Sequence, residues 1–351
     1  MTDDVLFAQE GHLGVITLNR PGSLNALTLS MILSLQRQLS LWKNDESIHA
    51  VVLRAVPGNA FCAGGDIRSL YYSGRVSDAE QMQFFWHEYR LNHFIHHFGK
   101  PYISFIDGTV MGGGVGISLH GSHPIASEHF VFAMPETGIG FFPDIGASYL
   151  LTRCPGYLGV YLGLTGNRLG AHDGLKAGLI KHIVSSEQMP ALLDALMCAN
   201  LSKDAFAGVD KCLHSYAVVP SLEESSQIKP MINVCFAHPT VEMIIESLQS
   251  IEGVWSVGVD NTLSQKSPLS LKVTLAQLQK AKGMNLAQCL QMDYDIVSHF
   301  MHGSDFYEGV RALLIDKDKK PKWNPAQLEL ISDAMVSDYF SRAHSELEWI
   351  I

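Results

Sequence analysis

The chain has 351 residues, of which 47% are hydrophobic and 17% are charged, and its formal net charge is −10. A chain of this length and composition can bury a large core, which excludes disordered and collagen-like classes. The acidic balance speaks against nucleic acid or an anionic membrane surface as a partner. Since no apolar run reaches membrane-spanning length, no membrane partner is expected.

The beginning of the chain and its cysteines bear on location and metal binding. The segment Met1–Asp4 is acidic and shows neither a secretory signal nor an Arg-rich transit pattern. His93 and His97 are four residues apart, but no third ligand follows, so no metal site is expected. The cysteines have no paired or zinc-like spacing: they are Cys62, Cys154, Cys198, Cys212, Cys235 and Cys289. Reduced thiols and a cytoplasmic location are therefore predicted.

The first part of the chain alternates strand and helix patterns. Val5–Glu10 and Leu13–Asn19 are β-prone runs separated by a Gly-His pair, which predicts a hairpin. Thr28 is a suitable cap for the helical pattern Leu29–Trp42. A long helix is predicted at Ala79–Phe98, and strands are predicted at Ala50–Val56, Pro101–Ile106, Ile125, Phe130–Ala133 and Leu179–Val184. Such alternation is typical of an α/β fold.

Helical patterns dominate from about Ser186 onward. Helices are predicted at Glu187–Ala199, Thr240–Ser250, Leu269–Ala281 and Leu286–His302, and a charged surface loop is predicted at residues 316–325. We therefore predict an α/β part, residues 1–185, followed by a mainly helical part, residues 186–351. The pattern leaves open whether the helical part only supports the first part or also helps to close a functional site.

Two glycine-rich segments lie between strand and helix patterns. They are Ala60–Arg68 (AFCAGGDIR) and Gly108–Gly116 (GTVMGGGVG), and neither has the spacing of a dinucleotide-binding loop or a P-loop. Glycines allow tight turns that leave amide N–H groups free to face an anion. An oxyanion needs two converging N–H donors, and Gly65 and Gly113 are the candidates. Cys62 has no local His or Asp partner, so a buried structural thiol is expected there.

The segment Met134–Gly146 (MPETGIGFFPDIG) places two carboxylates in otherwise apolar surroundings. A carboxylate in such surroundings is costly unless it has a partner, which favours a shifted pKa and a functional reason for its presence. Glu136 and Asp144 are therefore candidate site residues. Helix capping is the alternative role, above all for Asp144.

Taken in order, these segments resemble the crotonase superfamily, also called the enoyl-coenzyme A (CoA) hydratase/isomerase family. Leu18–Leu27 (LNRPGSLNAL) resembles its first motif, and the two glycine loops resemble its oxyanion hole. The resemblance implies a spiral of ββα units over about residues 5–185, with an acyl-CoA thioester held by the N–H groups of Gly65 and Gly113. It implies no cofactor other than the CoA of the substrate. Family members often form trimers or dimers of trimers, so a homo-oligomer is left open.

The second half resembles one branch, the 3-hydroxyisobutyryl-CoA hydrolases. The segments that carry this resemblance are Ser267–Lys272, Asp305–Asp318 and Pro321–Trp323. Hydratases resemble the chain at Glu136 but have a second glutamate at the position of Gly116, where this chain cannot perform acid–base chemistry. The resemblance thus implies thioester hydrolysis in valine catabolism, with 3-hydroxyisobutyryl-CoA and 3-hydroxypropionyl-CoA as substrates.

The hydrolase branch also implies roles for three carboxylates. Glu88 and Asp144 match residues that contact the acyl group, and Glu136 matches the residue that performs the chemistry. Glu136 either attacks the carbonyl to form a mixed anhydride or activates the attacking water, and both routes remain open.

Two other functions remain open, namely an enoyl-CoA hydratase or isomerase and a non-catalytic acyl-CoA-binding protein. Candidates for holding the CoA phosphates are Arg20, Arg68 and the loop 316–322.

Overall fold

The structure is a computed structural model that describes residues 3–76, 80–218, 228–342 and 346–350. Its strands are β1 (Val5–Glu10), β2 (Leu13–Leu18), β3 (Ala50–Ala55), β4 (Ala60–Cys62), β5 (Tyr102–Ile106), β6 (Thr109–Met111), β7 (His123–Ala126), β8 (Val131–Ala133), β9 (Leu169–Gly170) and β10 (His182–Ile183).

The helices are α1 (Leu29–Asn44), α2 (Ile67–Arg75), α3 (Glu80–His96), α4 (Gly113–Leu119), α5 (Ala147–Leu151), α6 (Leu158–Thr165), α7 (Ala171–Lys176), α8 (Met189–Cys198), α9 (Ala205–Tyr216), α10 (Ile228–Cys235), α11 (Val241–Ser250), α12 (Val254–Leu263), α13 (Pro268–Lys280), α14 (Leu286–His302), α15 (Asp305–Val310) and α16 (Asp333–Asp338). Short 3₁₀ turns lie at Pro21–Ser23, Glu136–Ile139, Ser186–Gln188 and Leu328–Leu330, and a π-helical turn at Arg311–Ile315 follows α15.

Within the described ranges the strands form two sheets. The larger has the order β1-β2-β3-β5-β7-β10, in which only the β1–β2 pair is antiparallel. The smaller has the order β4-β6-β8-β9, with β4, β6 and β8 parallel. Successive pairs β3–β4, β5–β6 and β7–β8 each place one strand in each sheet before the chain enters a helix or turn. The predicted α/β class is therefore confirmed.

Alternate residues of the larger sheet face two different hydrophobic layers, as expected from the two-residue period of a strand. One layer holds Leu13, Val15, Ala50, Val52, Ile103, Phe105 and Ile125, covered by Leu192 and Leu196 of α8 and by Val209 and Leu213 of α9. The other face contributes Ile16, Leu18, Val51 and Leu53 to the main core, which also takes in residues of α1, α3, α13 and α14. Both parts of the chain thus share one core.

Several predicted elements are found where their local patterns placed them. β1 and β2 form the hairpin, with Val5 opposite Leu18. The Thr28 side chain accepts a hydrogen bond from the Met31 N–H at 3.2 Å and begins α1. The predicted bounds of α14 match the structure, Leu286–His302. Ala79, the first residue of another predicted helix, lies outside the described residues.

The smaller sheet differs most from expectation. β4 and β6 lie inside the two glycine motifs, where no strand was predicted, and each has three residues. A three-residue strand is too short to show a two-residue hydrophobic period, and its pairing depends on distant segments. The strand predicted at Leu179–Val184 is shorter in the structure, at His182–Ile183.

Helices of the second part pack directly on the first. α14 lies against α3, α13 lies against α6, and α15 lies against the 3₁₀ turn Glu136–Ile139. None of the helices in the described ranges combines the length and apolar character that a membrane-spanning segment needs.

Candidate active site

The two glycine loops meet beside the smaller sheet. β4 and β6 are parallel neighbours, so the loops that follow them emerge side by side. Gly64 has φ of +112°, in the region that favours glycine, and its carbonyl accepts a hydrogen bond from the Leu27 N–H at 2.8 Å. A Cβ built on Gly113 would lie 3.3 Å from the Gly65 nitrogen. The Gly65 and Gly113 N–H groups donate no hydrogen bond to any residue that the structure describes. Two free N–H donors therefore lie next to each other.

Glu88 lies directly against this pair of amides. α3 carries its side chain into the interior, where it is 2% exposed. Its Oε1 atom has no hydrogen-bond partner among the described residues and would overlap a Cβ on Gly113. Glycine at position 113 therefore makes room for a carboxyl group as well as for the turn.

Glu136 is the first residue of the 3₁₀ turn that follows β8. Its side chain is 6% exposed, and Oε1 lies 3.2 Å from the position that a Cβ on Gly112 would take. Oε2 has no hydrogen-bond partner among the described residues. The carboxyl group therefore lies beside the second glycine loop, and its Oε2 atom is available to contact another group.

Asp144 lies in the loop between that turn and α5, and two buried residues hold it. The Tyr89 hydroxyl donates to Asp144 Oδ2 at 2.7 Å. Asp293, from α14, accepts hydrogen bonds from the Gly146 N–H and from the Gln277 side-chain amide, both at 2.7 Å. Since Gly146 is two residues from Asp144, Asp293 anchors the loop that carries it.

The buried carboxyl groups resist ionisation. Burial raises the pKa of Asp144 to about 7, against the hydrogen bond from Tyr89, which lowers it. Burial raises the pKa of Glu88 well above its usual range, and Asp144 raises it further. Burial also raises the pKa of Glu136 well above its usual range, and Asp144 raises it further. Because Tyr89 donates to Asp144, a negative charge there is better supported than one on Glu88.

The second part of the chain braces the Glu136 turn. The Ser267 N–H donates to the Thr137 carbonyl at 3.1 Å, and the Ser267 hydroxyl donates to Asp305 at 2.6 Å. Asp305 also accepts from the Asn324 N–H at 2.8 Å. A Cβ on Gly309 would overlap the Ile139 carbonyl group, so α15 lies against the turn backbone. The motifs beginning at Ser267 and Asp305 therefore act as structural support for the site.

Position 116, where hydratases carry a second glutamate, is tightly packed. A Cβ on Gly116 would lie 2.7 Å from both Asn92 Nδ2 and Asn92 Oδ1. Asn92 is fully buried on α3, and neither side-chain atom has a hydrogen-bond partner within the described part of the chain. The asparagine side chain thus fills the space that a larger residue at 116 would need.

In this structure, the side chains of Arg20, Arg68 and Cys62 each contact other residues of the protein. Arg20 forms an ion pair with Asp66 at 2.8 Å, and Arg68 donates to the Leu314 carbonyl at 3.1 Å. The Cys62 thiol donates to the Asn25 carbonyl at 3.1 Å, and burial raises its pKa to about 12. Cys62 is therefore unsuited to nucleophilic chemistry. The phosphate contacts stay a prediction.

The structure thus brings Gly65, Gly113, Glu88, Glu136 and Asp144 around one small volume. Sequence reasoning did not assign roles to Tyr89, Asp293 and Lys266, which contact or face these residues. The available signals were indirect: Tyr89 follows Glu88, and Asp293 interrupts the apolar face of a helix.

The similarity to known proteins covers the site and nearly the whole chain. The chain is similar to the protein named "3-hydroxyisobutyryl-CoA hydrolase, mitochondrial" of Xenopus tropicalis, with 45% identity covering 98% of this chain and 91% of the relative. It is similar to the protein of the same name from Homo sapiens, with 41% identity covering 99% and 91%. These matches include both the site and the helical second part.

Two solved structures share the fold over nearly the full length. One is described as a carnitinyl-CoA dehydratase from Mycobacterium thermoresistibile, with a TM-score of 0.92, 35% identity and 99% coverage of both chains. The other is described as an enoyl-CoA hydratase from Rhodobacter sphaeroides 2.4.1, with a TM-score of 0.86, 34% identity, and coverage of 97% of this chain and 98% of that one. The predicted crotonase-like fold with a helical second part is confirmed.

The predicted cytoplasmic location is wrong on this comparison. The curated relatives are named mitochondrial proteins, which points to a mitochondrial location. The prediction depended on the acidic first residues and on the spacing of the cysteines. The spacing of the cysteines indicates reduced thiols but does not single out the cytoplasm among reducing compartments.

The family model for enoyl-CoA hydratase/isomerase matches residues 13–340, so both glycine loops, all three carboxylates and the bracing helices lie within it. The resemblance inferred from the motifs is therefore confirmed, and the chain belongs to the enoyl-CoA hydratase/isomerase family.

Proposed function

We propose that this protein hydrolyses the thioester of 3-hydroxyisobutyryl-CoA, and of the related 3-hydroxypropionyl-CoA, to the free acid and CoA. The first of these reactions is the one that the curated relatives' names describe, at 41–45% identity over nearly the whole chain. The observation that supports the proposal is the buried Glu136 carboxyl group, which has an unpartnered oxygen and lies beside the glycine loops with their two free amides. The reaction belongs to valine catabolism.

The thioester carbonyl oxygen accepts hydrogen bonds from the Gly65 and Gly113 amides. Such donors strengthen as the oxyanion forms, and the loss of one typically costs about 3–4 kcal/mol of transition-state stabilisation. Glu136 then adds to the carbonyl carbon, CoA leaves as a thiolate, and water hydrolyses the mixed anhydride. In the alternative route, Glu136 removes a proton from the water that attacks directly. Either route ends with the same acid and CoA.

The acyl group is held by the other carboxyl groups. Asp144, supported by Tyr89, accepts a hydrogen bond from the substrate 3-hydroxyl, and Glu88 faces the same group from α3. A substrate without that hydroxyl leaves a buried acceptor unpaired, which is a strong basis for discrimination.

Hydration of an enoyl-CoA is the second candidate, since two structural relatives are described as a dehydratase and a hydratase. The packing of Gly116 against Asn92 argues against it, because position 116 carries no glutamate and has no space for one.

The test is a thiol-release assay over a panel of acyl-CoA esters, run beside an absorbance assay for hydration of crotonyl-CoA. We expect free CoA from both 3-hydroxyacyl esters, slower release from isobutyryl-CoA, and no hydration. Hydration without thiol release would contradict the proposal.

A further inference from the structure

Lys266 lies over the turn that carries Glu136. It occupies the turn before α13, where the following N–H, of Ser267, donates to the Thr137 carbonyl at 3.1 Å. Lys266 Nζ lies 3.2 Å from the position that a Cβ on Gly138 would take. The ammonium group is therefore placed on the same short turn as the Glu136 carboxyl group.

Neither the Lys266 ammonium group nor the Glu136 carboxyl group has a partner that would neutralise its charge. The Lys266 ammonium forms no hydrogen bond or ion pair with any residue that the structure describes, although its side chain is half-buried. Glu136 Oε2 is buried and likewise lacks a partner in those ranges. An unpaired cation and an unpaired acid on one turn attract each other more strongly than in water, because Glu136 is buried and Lys266 is half-buried.

The other charged groups near this turn are engaged elsewhere or oppose ionisation. On α15, Asp305 accepts from Ser267 and Glu308 pairs with Arg311 at 2.8 Å. On α13, Lys272 pairs with Glu242, and α6 carries no charged residue. Across the site, Asp144 opposes a charge on Glu136 and also opposes one on Glu88. Among these described residues, Lys266 is therefore the cation that has no carboxylate partner.

We propose that Lys266 is a positioning residue that acts through Glu136, its ammonium group stabilising the carboxylate that the hydrolysis needs. This rests on the proposed function, in which Glu136 is nucleophile or base. Burial and Asp144 raise the pKa of Glu136, while its own backbone N–H and then Lys266 lower it. In the reverse direction, burial lowers the pKa of Lys266 and Glu136 raises it. Without Lys266, Glu136 holds its proton to a higher pH and is inactive there.

The test compares Lys266→Met and Lys266→Gln with the charge-preserving Lys266→Arg. The matched control is Lys280→Met, which removes the same charge from the exposed end of α13. The rate kcat is measured between pH 5 and 8.5 with 3-hydroxyisobutyryl-CoA. Activity falls where Glu136 is protonated, so both neutral variants should match wild type at high pH and be about tenfold slower at pH 6. Lys266→Arg and Lys280→Met should follow the wild-type profile.

A loss of equal size at every pH, or a rise in KM with an unchanged profile, would show a packing or substrate-contact role and overturn the inference. Infrared titration of the carboxyl groups, with the Glu136→Gln spectrum subtracted, gives a readout that needs no turnover. At pH 6 the protonated fraction of Glu136 should be larger in Lys266→Met than in wild type. Superimposable titrations would reject the role of Lys266 even where hydrolysis is intact, and a wild type without hydrolase activity would instead reject the proposed function.

Discussion

Glu88, Glu136 and Asp144 are three buried carboxyl groups around one pair of amides, and Asp144 makes ionisation of the other two more costly. At neutral pH the three cannot all be charged, because burial disfavours each charge and the charges repel. The hydrogen bond from Tyr89 favours a charge on Asp144, and Lys266 favours one on Glu136. The site therefore uses neighbouring residues to decide which acid is ionised.

Replacing Glu136 by Gln tests its chemical role, because the amide keeps the size of the side chain but can neither attack nor accept the proton. We expect kcat for 3-hydroxyisobutyryl-CoA to fall by about 10³-fold or more while KM changes little. Steady-state thiol release measures both. A large rise in KM with kcat preserved would contradict this role.

Replacing Asp144 by Asn tests recognition of the hydroxyl. Isobutyryl-CoA lacks the hydroxyl and has no such bond to lose, so Asp144→Asn should harm the 3-hydroxyacyl substrate far more. The ratio of kcat/KM for 3-hydroxyisobutyryl-CoA over isobutyryl-CoA should shrink in Asp144→Asn and stay constant in Glu136→Gln. Equal losses on both substrates in Asp144→Asn would instead make Asp144 a structural or catalytic residue.

Single residues were predictable where a motif surrounds them. Gly65, Gly113, Glu136 and Asp144 stand in segments whose composition is unusual for ordinary turns. The roles of Tyr89 and Asp293 were not predictable, because their hydrogen bonds join residues 55 and 147 positions apart. Local spacing carries no information on such contacts.

At the level of elements, α15 and the Glu136 turn form one packed unit. Gly309 of α15 lies against Ile139, and the Gly140 position lies against the Asp305 backbone. The turn is therefore held from outside the α/β part.

Adding one methyl group at this contact should displace the turn. We expect Gly309→Ala to lower kcat by at least about tenfold, because small misplacements of a reacting group are costly, and to lower stability by about 1–3 kcal/mol through overpacking. Kinetics and thermal unfolding measure the two effects. Gly258→Ala is the control, since that helical glycine has open space around it and should keep full activity. Unchanged kcat in Gly309→Ala would show that the brace is dispensable.

Helices and the hairpin were predictable because their periodicity is local, as the bounds of α14 illustrate. The small sheet was not, because β4 and β6 have three residues each and become strands only by pairing with each other and with β8. The contact of α15 with the turn was equally hidden, since it joins residues far apart in the chain.

At the level of the whole molecule, one core joins both parts, and buried histidines add a dependence on pH. His120 is 3% exposed, and its ring N–H donates to the Ile145 carbonyl at 2.8 Å. Burial lowers its pKa from 6.5 to about 4. The unfolded chain therefore takes up this proton first, and the folded state loses relative stability as pH falls from about 6.5 towards 4.

This predicts a pH-dependent difference between wild type and His120→Gln, which cannot be protonated in this range. His120 should cost wild type about 2 kcal/mol of unfolding free energy between pH 7 and pH 5. Denaturant titrations at the two pH values measure that change, and it should be smaller in His120→Gln by this amount. Exposed His172 offers the control, because His172→Gln should leave the change as in wild type. Equal changes in wild type and His120→Gln would contradict the prediction.

The packing of Asn92 against Gly116 limits how this chain can acquire new chemistry by evolution. A glutamate at 116, the residue that would supply a second catalytic acid, meets a buried amide at contact distance. A smaller residue at position 92 must therefore precede a larger one at position 116. The first change alone leaves a cavity, and the second alone causes a clash. The two sites are epistatic, so the order of substitutions decides which routes are open. Libraries that vary position 116 alone should miss hydratase variants that paired libraries can reach.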